Sequence, residues 1–213
     1  MEQSLGRTTL PACDQRSRSE DGKKRTVLVF CGSRVGSNPR FAEEARELGR
    51  KLGEAGYGLV TGGSRHGLMG AVTDGALEAG VRTTGFIPIY IASMQEMHSA
   101  LERTVVVDSL ADRKTMMFNA SDICVALPGA IGTMDEIMET LVLRELKQHP
   151  RPIVVIDIDQ YWAPMFAMLE RMVEQKFLPD ILDSMVIKVE SAEAAVQAVS
   201  EQLATPASVA PGG

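Results

Sequence analysis

Aromatic residues, cysteines and histidines are all scarce in this chain of 213 residues. Only 5% of the residues are aromatic, and there are three cysteines and three histidines. Cys13, Cys31 and Cys124 lie far apart and form no CxxC pair, a pattern that indicates reduced thiols and argues against a structural zinc site. The histidines are too few to complete a metal shell around them, so we expect no metal.

The chain also lacks an excess of positive charge and any long apolar run. Its formal net charge is −6, which argues against a surface that binds nucleic acid. No stretch reaches the roughly 18 apolar residues of a membrane span. The first 25 residues contain no apolar segment long enough for a secretory signal. We therefore expect a cytoplasmic protein with no nucleic-acid or membrane partner.

Apolar residues make up 45% of the chain, which suits one α/β domain of ordinary size. Residues 1–25 and 204–213 are polar or rich in small residues and show no periodic apolar pattern. Such segments cannot bury enough surface to become ordered. The sequence therefore predicts two disordered tails around a single nucleotide-binding catalytic domain at residues 26–203.

Between these tails, β-branched runs alternate with segments of helical period. The predicted strands are TVLVFCG, YGLVTGG, VRTTGFIP, TVVVD, DICVALPG, PIVVID and MVIKVE. The predicted helices span 39–54, 67–79, 110–121, 133–147, 162–176 and 192–203. Asn38 before Pro39, and Ser191, are typical helix caps. Apolar strands that alternate with helices predict a single doubly wound, Rossmann-like parallel sheet of about seven strands, with helices on both faces.

In such a sheet, ligands bind at the loops beyond the carboxyl ends of the strands. Four of these loops are CGSRVGSNP, TGGSRHGLMG, DSLADRK and LPGAIGTMDE. Glycines let a backbone approach an anion closely, and the first N–H groups of the next helix point at it. Alternatively, the glycines only allow tight connections between strands and helices and bind no ligand. Three glycine-containing loops at one edge favour a phosphate or nucleotide site.

Several common enzyme motifs are missing from these loops. No GxxxxGK[ST] sequence is present, and the first turn does not read GxGxxG, so a P-loop ATPase and an NAD-dependent dehydrogenase are disfavoured. Ser33 has no GxSxG setting, which makes a serine hydrolase improbable.

Two groups of charged residues allow both a functional and a structural interpretation. Arg113 and Lys114 lie near the start of a helix, where cations oppose the helix dipole, so they are either surface cations or a clamp for an anion. Thr133 and Glu136 fit the capping-box pattern TxxE. Glu136 also has Asp135 and Glu139 beside it, and such an acidic group can engage a sugar or a developing cation.

With these motifs in place, the chain resembles the LOG ("Lonely guy") family of cytokinin riboside 5′-monophosphate phosphoribohydrolases. The family signature PGGxGTxxE corresponds to residues 128–136, and its Met-His-x-Arg-Lys element corresponds to LADRK at 110–114. The loop GGSRHGLMG and the turn CGS match two further elements. The resemblance covers residues 26 to 180.

The resemblance implies an N-glycosyl hydrolase that releases the free base and ribose 5-phosphate from AMP or N6-isoprenylated AMP, with Arg113 and Glu136 as the catalytic pair. It also implies an enzyme without metal or organic cofactor, and a homodimer. The sequence does not assign separate roles to Arg113 and Glu136. The implied substrate contacts are Ser33, Gly62, Gly63, Gly67, Gln95, Lys114, Gly129, Ala130, Ile131, Gly132, Thr133, Met134, Asp135 and Glu139.

The chain departs from the family pattern at three places. Ala130 replaces the second glycine of the signature, Leu110-Ala111 replaces Met-His, and Gln95 stands where an acidic residue is frequent. Ala130 is tolerable if its φ is negative and strained if it is positive. Two alternatives therefore stay open: a nucleotide carrier or sensor with weak turnover, and a pyridoxal-phosphate decarboxylase that uses Lys114 as its Schiff base.

Overall fold

The computed structural model describes residues 25–94 and 96–204. These residues form one seven-stranded sheet in which every strand pairing is parallel. The strands are β1 Thr26–Phe30, β2 Gly58–Thr61, β3 Thr83–Pro88, β4 Arg103–Val107, β5 Ile123–Ala126, β6 Ile153–Ile156 and β7 Val186–Val189. Their order across the sheet is β4-β3-β2-β1-β5-β6-β7.

Helices cover both faces of the sheet. They are α1 Pro39–Glu54, α2 Gly67–Glu78, α3 Ile89–Ala92, α4 Leu110–Asn119, α5 Ile131–Glu145, α6 Ala163–Glu174, α7 Leu182–Met185 and α8 Ala192–Ala204, with a short 3-10 turn at Ile158–Gln160. One apolar core lies between the sheet and α1, α2 and α8. A second core lies between the opposite face and α4, α5 and α6. None of the described helices has the length and apolar character needed to cross a membrane.

Burial on both faces explains the composition of the strands. Within β1, Val27 and Val29 pack into the first core, while Leu28 and Phe30 pack into the second. Alternate side chains of a strand point to opposite faces, so a strand that is covered twice must be apolar throughout. The predicted α/β class, the parallel sheet and the number of strands are confirmed.

The helix starts were predicted well where a capping residue marks them. Asn38 accepts a hydrogen bond from the Arg40 amide, and Pro39 is the first residue of α1, as expected. Ser191 accepts from the Ala194 amide at the start of α8. The predicted tails fall outside the described residues, except that Arg25 precedes β1 and α8 continues to Ala204. The domain boundaries therefore stay a prediction.

The strand order reverses between β1 and β5, at the centre of the sheet. Phe30 of β1 pairs with Ala126 of β5, so the two strands end at the same level. Beyond them, the Gly32 amide donates to the Pro128 carbonyl oxygen at 3.0 Å. The loop after β1 and the loop after β5 are thus held together at the point where doubly wound sheets bind their ligands.

Candidate functional site

Helix α5 begins at Ile131, two residues earlier than predicted, and its N-cap residue is Ala130. The backbone of Ala130 has φ −101° and ψ −154°, an extended conformation that any residue adopts. Ala130 is therefore unstrained, as the sequence allowed for a negative φ.

The capping box predicted for Thr133 and Glu136 is wrong. Thr133 lies inside the first turn of α5 and is buried, with no side-chain cap at this helix start. A Cβ atom on Gly129 would lie 2.1 Å from Thr133 Oγ1, so the threonine packs over the glycine instead of capping the helix. The TxxE spacing is present, but Ala130 and not Thr133 stands at the N-cap position of α5, so Glu136 is not half of a capping box.

No side chain of the described residues caps the start of α5, a feature that it shares with α2 and α6, whereas three other helices are capped. Asn38, Ser109 and Ser191 cap the starts of α1, α4 and α8. At α5 the residue before the helix is an alanine, and Ile131 is 87% exposed. The first-turn N–H groups of a helix have no partner within the helix, and the helix dipole makes this end positive. The turn at residues 129–133 can therefore accept an anion.

Arg113 lies across the carboxyl ends of β2 and β3. Its Nε atom donates a hydrogen bond to the Phe86 carbonyl oxygen at 3.0 Å. A Cβ atom on Gly62 would lie 1.8 Å from Arg113 Nη2, so only glycine at position 62 leaves room for the guanidinium. No other described residue forms a hydrogen bond with its terminal nitrogens. These nitrogens are available to an anionic ligand.

Glu136 is a buried carboxylate close to Arg113. The residue is 7% exposed, and within the described chain no group donates a hydrogen bond to its carboxyl oxygens. Burial raises its pKa to about 7, although the positive charge of Arg113 opposes this shift. Buried polar groups normally have hydrogen-bond partners. A carboxyl group without one, with a pKa near neutrality, is typical of a functional site.

Lys114 is engaged by two carboxylates of α5. Its Nζ atom lies 2.8 Å from Asp135 Oδ2 and 2.7 Å from Glu139 Oε2. Burial tends to lower the pKa of the ammonium, but the two carboxylates outweigh it and raise the pKa above its usual value. Because Schiff-base formation requires the neutral amine, this environment disfavours the pyridoxal-phosphate role.

The structure brings most of the predicted site residues to one edge of the sheet. The loop after β1 contacts the loop after β2, because a Cβ atom on Gly67 would lie 2.2 Å from the Ser33 carbonyl carbon. Gly63 has φ +79° and Gly67 has φ +64°, conformations that favour glycine. Gln95 lies outside the described residues. The binding roles of these positions stay predictions.

Tyr161 was not singled out from the sequence, yet it contacts the same turn. Its hydroxyl group donates a hydrogen bond to the Gly129 carbonyl oxygen at 2.5 Å. It also packs edge-on against Trp162 and Phe41. An aromatic pair that directly follows a strand end was the available signal. Tyr161 and Trp162 border a cavity of about 310 Å³ beside the start of α5.

The described cysteines are structural. Cys31 and Cys124 are buried and form no disulfide. Burial, with a contribution from the nearby Glu136 carboxylate, raises the pKa of both thiols above its usual range, so they stay protonated. This agrees with the expected apolar packing role. Cys13 lies outside the described residues. In the described ranges, no group of three or more His, Cys, Asp or Glu side chains is placed to hold a metal ion.

Comparison with protein families places most of the chain in one group. A family model described as possible lysine decarboxylase matches residues 69–199. A protein of Oryza sativa subsp. japonica named probable cytokinin riboside 5′-monophosphate phosphoribohydrolase is 34% identical over 76% of this chain and 70% of its own length. A cytokinin riboside 5′-monophosphate phosphoribohydrolase of Rhodococcoides fascians is 32% identical over 82% of this chain and 89% of its own length.

Among solved structures, the fold resembles that of a molybdenum-cofactor carrier. The Moco carrier protein of Chlamydomonas reinhardtii superposes with a TM-score of 0.67 at 22% identity, covering 85% of this chain and 99% of the carrier. This likeness concerns the fold.

Proposed function

The chain belongs to the family described as possible lysine decarboxylase, the LOG family, and on that premise we propose that it hydrolyses the N-glycosidic bond of a nucleoside 5′-monophosphate. The proposed substrates are AMP and N6-isoprenylated AMP, and the products are the free base and ribose 5-phosphate. The relatives named above act on cytokinin riboside monophosphates according to their names. The assignment makes the protein an N-glycosyl hydrolase.

The start of α5 is proposed as the site of the 5′-phosphate. Its support is the uncapped first turn at Ile131, Gly132 and Thr133, where N–H groups and the helix dipole favour an anion. Gly132 adds no side chain at this position, and a Cβ there would meet no atom within 4 Å. A phosphate can therefore approach the backbone without a steric barrier.

Glu136 and Arg113 are proposed as the catalytic pair. As water attacks C1′ of the ribose, the bond from C1′ to the base nitrogen breaks, and positive charge develops on the ring. A carboxylate at Glu136 stabilises this charge, holds the ribose hydroxyls or orients the water. A guanidinium at Arg113 anchors the phosphate or offsets negative charge on the departing base. The water supplies the hydroxyl group of the sugar product, and its proton leaves with the base.

One observation carries the proposal. The side chain of Glu136 is buried without a hydrogen-bond partner among the described residues, its pKa is raised to about 7, and it lies beside Arg113 at an uncapped helix start. Burying a carboxylate costs stability, and here Arg113 and Lys114 offset this cost only in part, since the pKa stays raised. Its presence next to a cation and an anion-binding turn is what cleavage of a sugar phosphate requires.

Product analysis tests the proposed reaction. The protein is incubated with AMP and with isopentenyl-AMP, and chromatography separates any free base from the nucleotide. We expect base and ribose 5-phosphate in equal amounts. Glu136→Gln should lower kcat by about 100- to 10,000-fold, the usual range for loss of an acid–base group. Glu145→Gln, an exposed change at the end of the same helix, serves as the matched control and should leave kcat unchanged. If none of the monophosphates yields free base, the hydrolase assignment fails.

A carrier or sensor of the same fold is the alternative. It was motivated by Ala130 and Ala111, and the relaxed backbone at Ala130 weakens the first of these two grounds. Calorimetry distinguishes the two, because a carrier binds AMP with a measurable heat while chromatography of the same sample shows no product.

A homodimer is proposed as the assembly. Its support is an open groove of about 650 Å³ between α4 and the amino-terminal ends of β2, β3 and β4, lined in part by Phe86 and Met116. Met116 is 40% exposed, and Val106 of β4 and Leu110 of α4 are also exposed. Charged residues line the groove as well, namely Arg82, Glu102 and Arg103. Exposed apolar side chains near a groove support an interaction surface.

The free thiols Cys31 and Cys124 support a reducing compartment such as the cytoplasm.

A further inference from the structure

We propose that Lys114 is a positioning residue for the Glu136 carboxylate: its ammonium joins α4 to α5 and offsets the two carboxylates that flank Glu136. This inference rests on the proposed function, since it gives Lys114 a role within the same site. It differs from the substrate contact that the sequence resemblance implied for Lys114.

The geometry leaves the Lys114 ammonium little freedom to bind a substrate. Its Nζ atom lies between Asp135 Oδ2 and Glu139 Oε2, at 2.8 Å and 2.7 Å. The Lys114 side chain is 18% exposed. Glu139 Oε2 is enclosed by protein, and among the described residues its only charged partner is this ammonium. The Glu139 side chain is 33% exposed and that of Asp135 is 60% exposed, so solvent screens both ion pairs, and the lysine is held by two partly solvated contacts.

The two partners of Lys114 lie on either side of Glu136 along α5. Asp135 is its neighbour in the chain and points about 100° away around the helix, whereas Glu139, three residues beyond Glu136, lies on roughly the same side as Glu136. Each of their negative charges opposes ionisation of Glu136, whereas Lys114 favours it. Without the lysine, Asp135 and Glu139 would lose the cation that they share near Glu136, and among the described residues Arg113 would be the remaining cation that acts on Glu136. Lys114 therefore allows an acidic cluster to stand beside a carboxylate that must itself ionise.

Among the described residues, the charged and titratable groups that act on Glu136 come from α4, from α5, from β5 and from the residue that follows β1. They are Arg113 and Lys114 of α4, Asp135 and Glu139 of α5, Cys31 at the end of β1 and Cys124 of β5. The two thiols stay protonated because of their burial. The balance around Glu136 is therefore set by two cations and two carboxylates, and Lys114 is the cation that touches both carboxylates.

The test follows the titration of Glu136 directly, so that it does not depend on turnover. Protein labelled with ¹³C at the glutamate carboxyl carbons is titrated by NMR, and the Glu136 signal is identified by its loss in Glu136→Gln. In Lys114→Gln we expect the midpoint to rise by about one pH unit from its value near 7. Where turnover is present, the rising limb of kcat/KM against pH should shift by the same amount.

Two further variants separate charge from mere structural support. Lys114→Arg should keep the original midpoint, because it preserves the cation. Asp135→Asn combined with Glu139→Gln, with Lys114 intact, should lower the midpoint below that of the unmodified protein. This second variant tests the inference even if Lys114→Gln fails to fold.

Lys51 offers a matched control on the other face of the sheet. It lies between Glu47 and Glu193, and its side chain is 22% exposed. Lys51→Gln therefore removes a similar paired ammonium that is distant from the site, and the Glu136 midpoint should not move. An unchanged midpoint in both Lys114→Gln and the double carboxylate variant overturns the inference. Absence of base release in the unmodified protein would instead refute the hydrolase assignment. The titration would still test whether Lys114 affects the ionisation of Glu136.

Discussion

At the scale of single residues, the burial of Glu136 suits the proposed function but lowers the stability of the protein. Its carboxyl group is buried, so the folded chain favours the protonated form, and the pKa rises from 4.5 to about 7. In the unfolded chain the group ionises freely near pH 4.5. Between these two pH values the unfolded state has lost a proton that the folded state retains, so the contribution of Glu136 to stability falls as the pH rises.

Replacing Glu136 with Gln should therefore stabilise the protein at pH 8 while it lowers kcat. The expected increase in the free energy of unfolding is about 1–3 kcal/mol at pH 8, and it should shrink towards zero at pH 5, where the carboxyl group is protonated in the folded state. Urea unfolding at the two pH values measures it. Glu145→Gln, which alters an exposed carboxylate, should show no such difference between pH 8 and pH 5. A uniform effect of Glu136→Gln at both pH values would contradict the raised pKa.

At the scale of elements, the start of α5 decides what the signature turn can do. Ala130 adopts an extended backbone, and the helix begins directly after it without a capping side chain. A capped helix would satisfy its first N–H groups internally, whereas this one leaves them to a ligand. The turn thus combines a regular helix start with an open anion site.

Gly132→Ala separates helix stability from phosphate binding. A Cβ atom at this position meets nothing within 4 Å, and alanine is the better helix former, so stability should rise by about 0.5–1 kcal/mol. If the phosphate occupies the space over the first turn, the same methyl group should raise KM by about tenfold, a loss of about 1.4 kcal/mol. Thermal unfolding and steady-state kinetics measure the two effects.

Gly129→Ala is the contrasting change in the same turn. There the added Cβ would lie 2.1 Å from Thr133 Oγ1, so stability should fall. An unchanged KM in Gly132→Ala would mean that the phosphate does not lie on this turn.

The elements were predictable from sequence because their signals are local. Strands that are buried on both faces must be apolar, and residues such as Asn38 and Ser191 mark helix starts through their own side chains. The start of α5 was misplaced because its determinant is a packing contact between Gly129 and Thr133, which no capping pattern encodes. The support of the turn by Tyr161 was missed for the same reason, since it joins residues 32 positions apart.

At the scale of the whole molecule, the strand order places the edge strand β4 far from the centre of the sheet. Helix α4 must return from β4 to β5, and it carries Arg113 and Lys114 towards Glu136. The return leaves the amino-terminal parts of β2, β3 and β4 open on this face, which forms the groove beside Met116. The same connection therefore supplies catalytic candidates and exposes the surface proposed for dimer formation.

Met116→Glu should convert the proposed dimer into a monomer. A charge in the centre of an apolar interface loses its hydration without gaining a partner, which weakens association. Light scattering coupled to size-exclusion chromatography should show a mass near 23.0 kDa for this variant and twice that value for the unmodified protein. Met168→Glu, at an exposed methionine of α6, should leave the assembly intact. A monomeric unmodified protein would refute the proposed assembly.

The pairing of β1 with β5 also determines when the site can exist. The Thr26 amide donates to the Asp122 side chain across 96 residues of sequence, and the loops at Gly32 and Pro128 meet only when these strands are paired. Closing so long a loop costs chain entropy, and contacts of this kind slow the folding of parallel sheets. During synthesis, β1 to β4 and their helices emerge first, yet none of them can complete the anion turn. If the phosphate binds at this turn, as proposed, a substrate can be held only after β5 has paired with β1, and it cannot act as a template for the first half of folding.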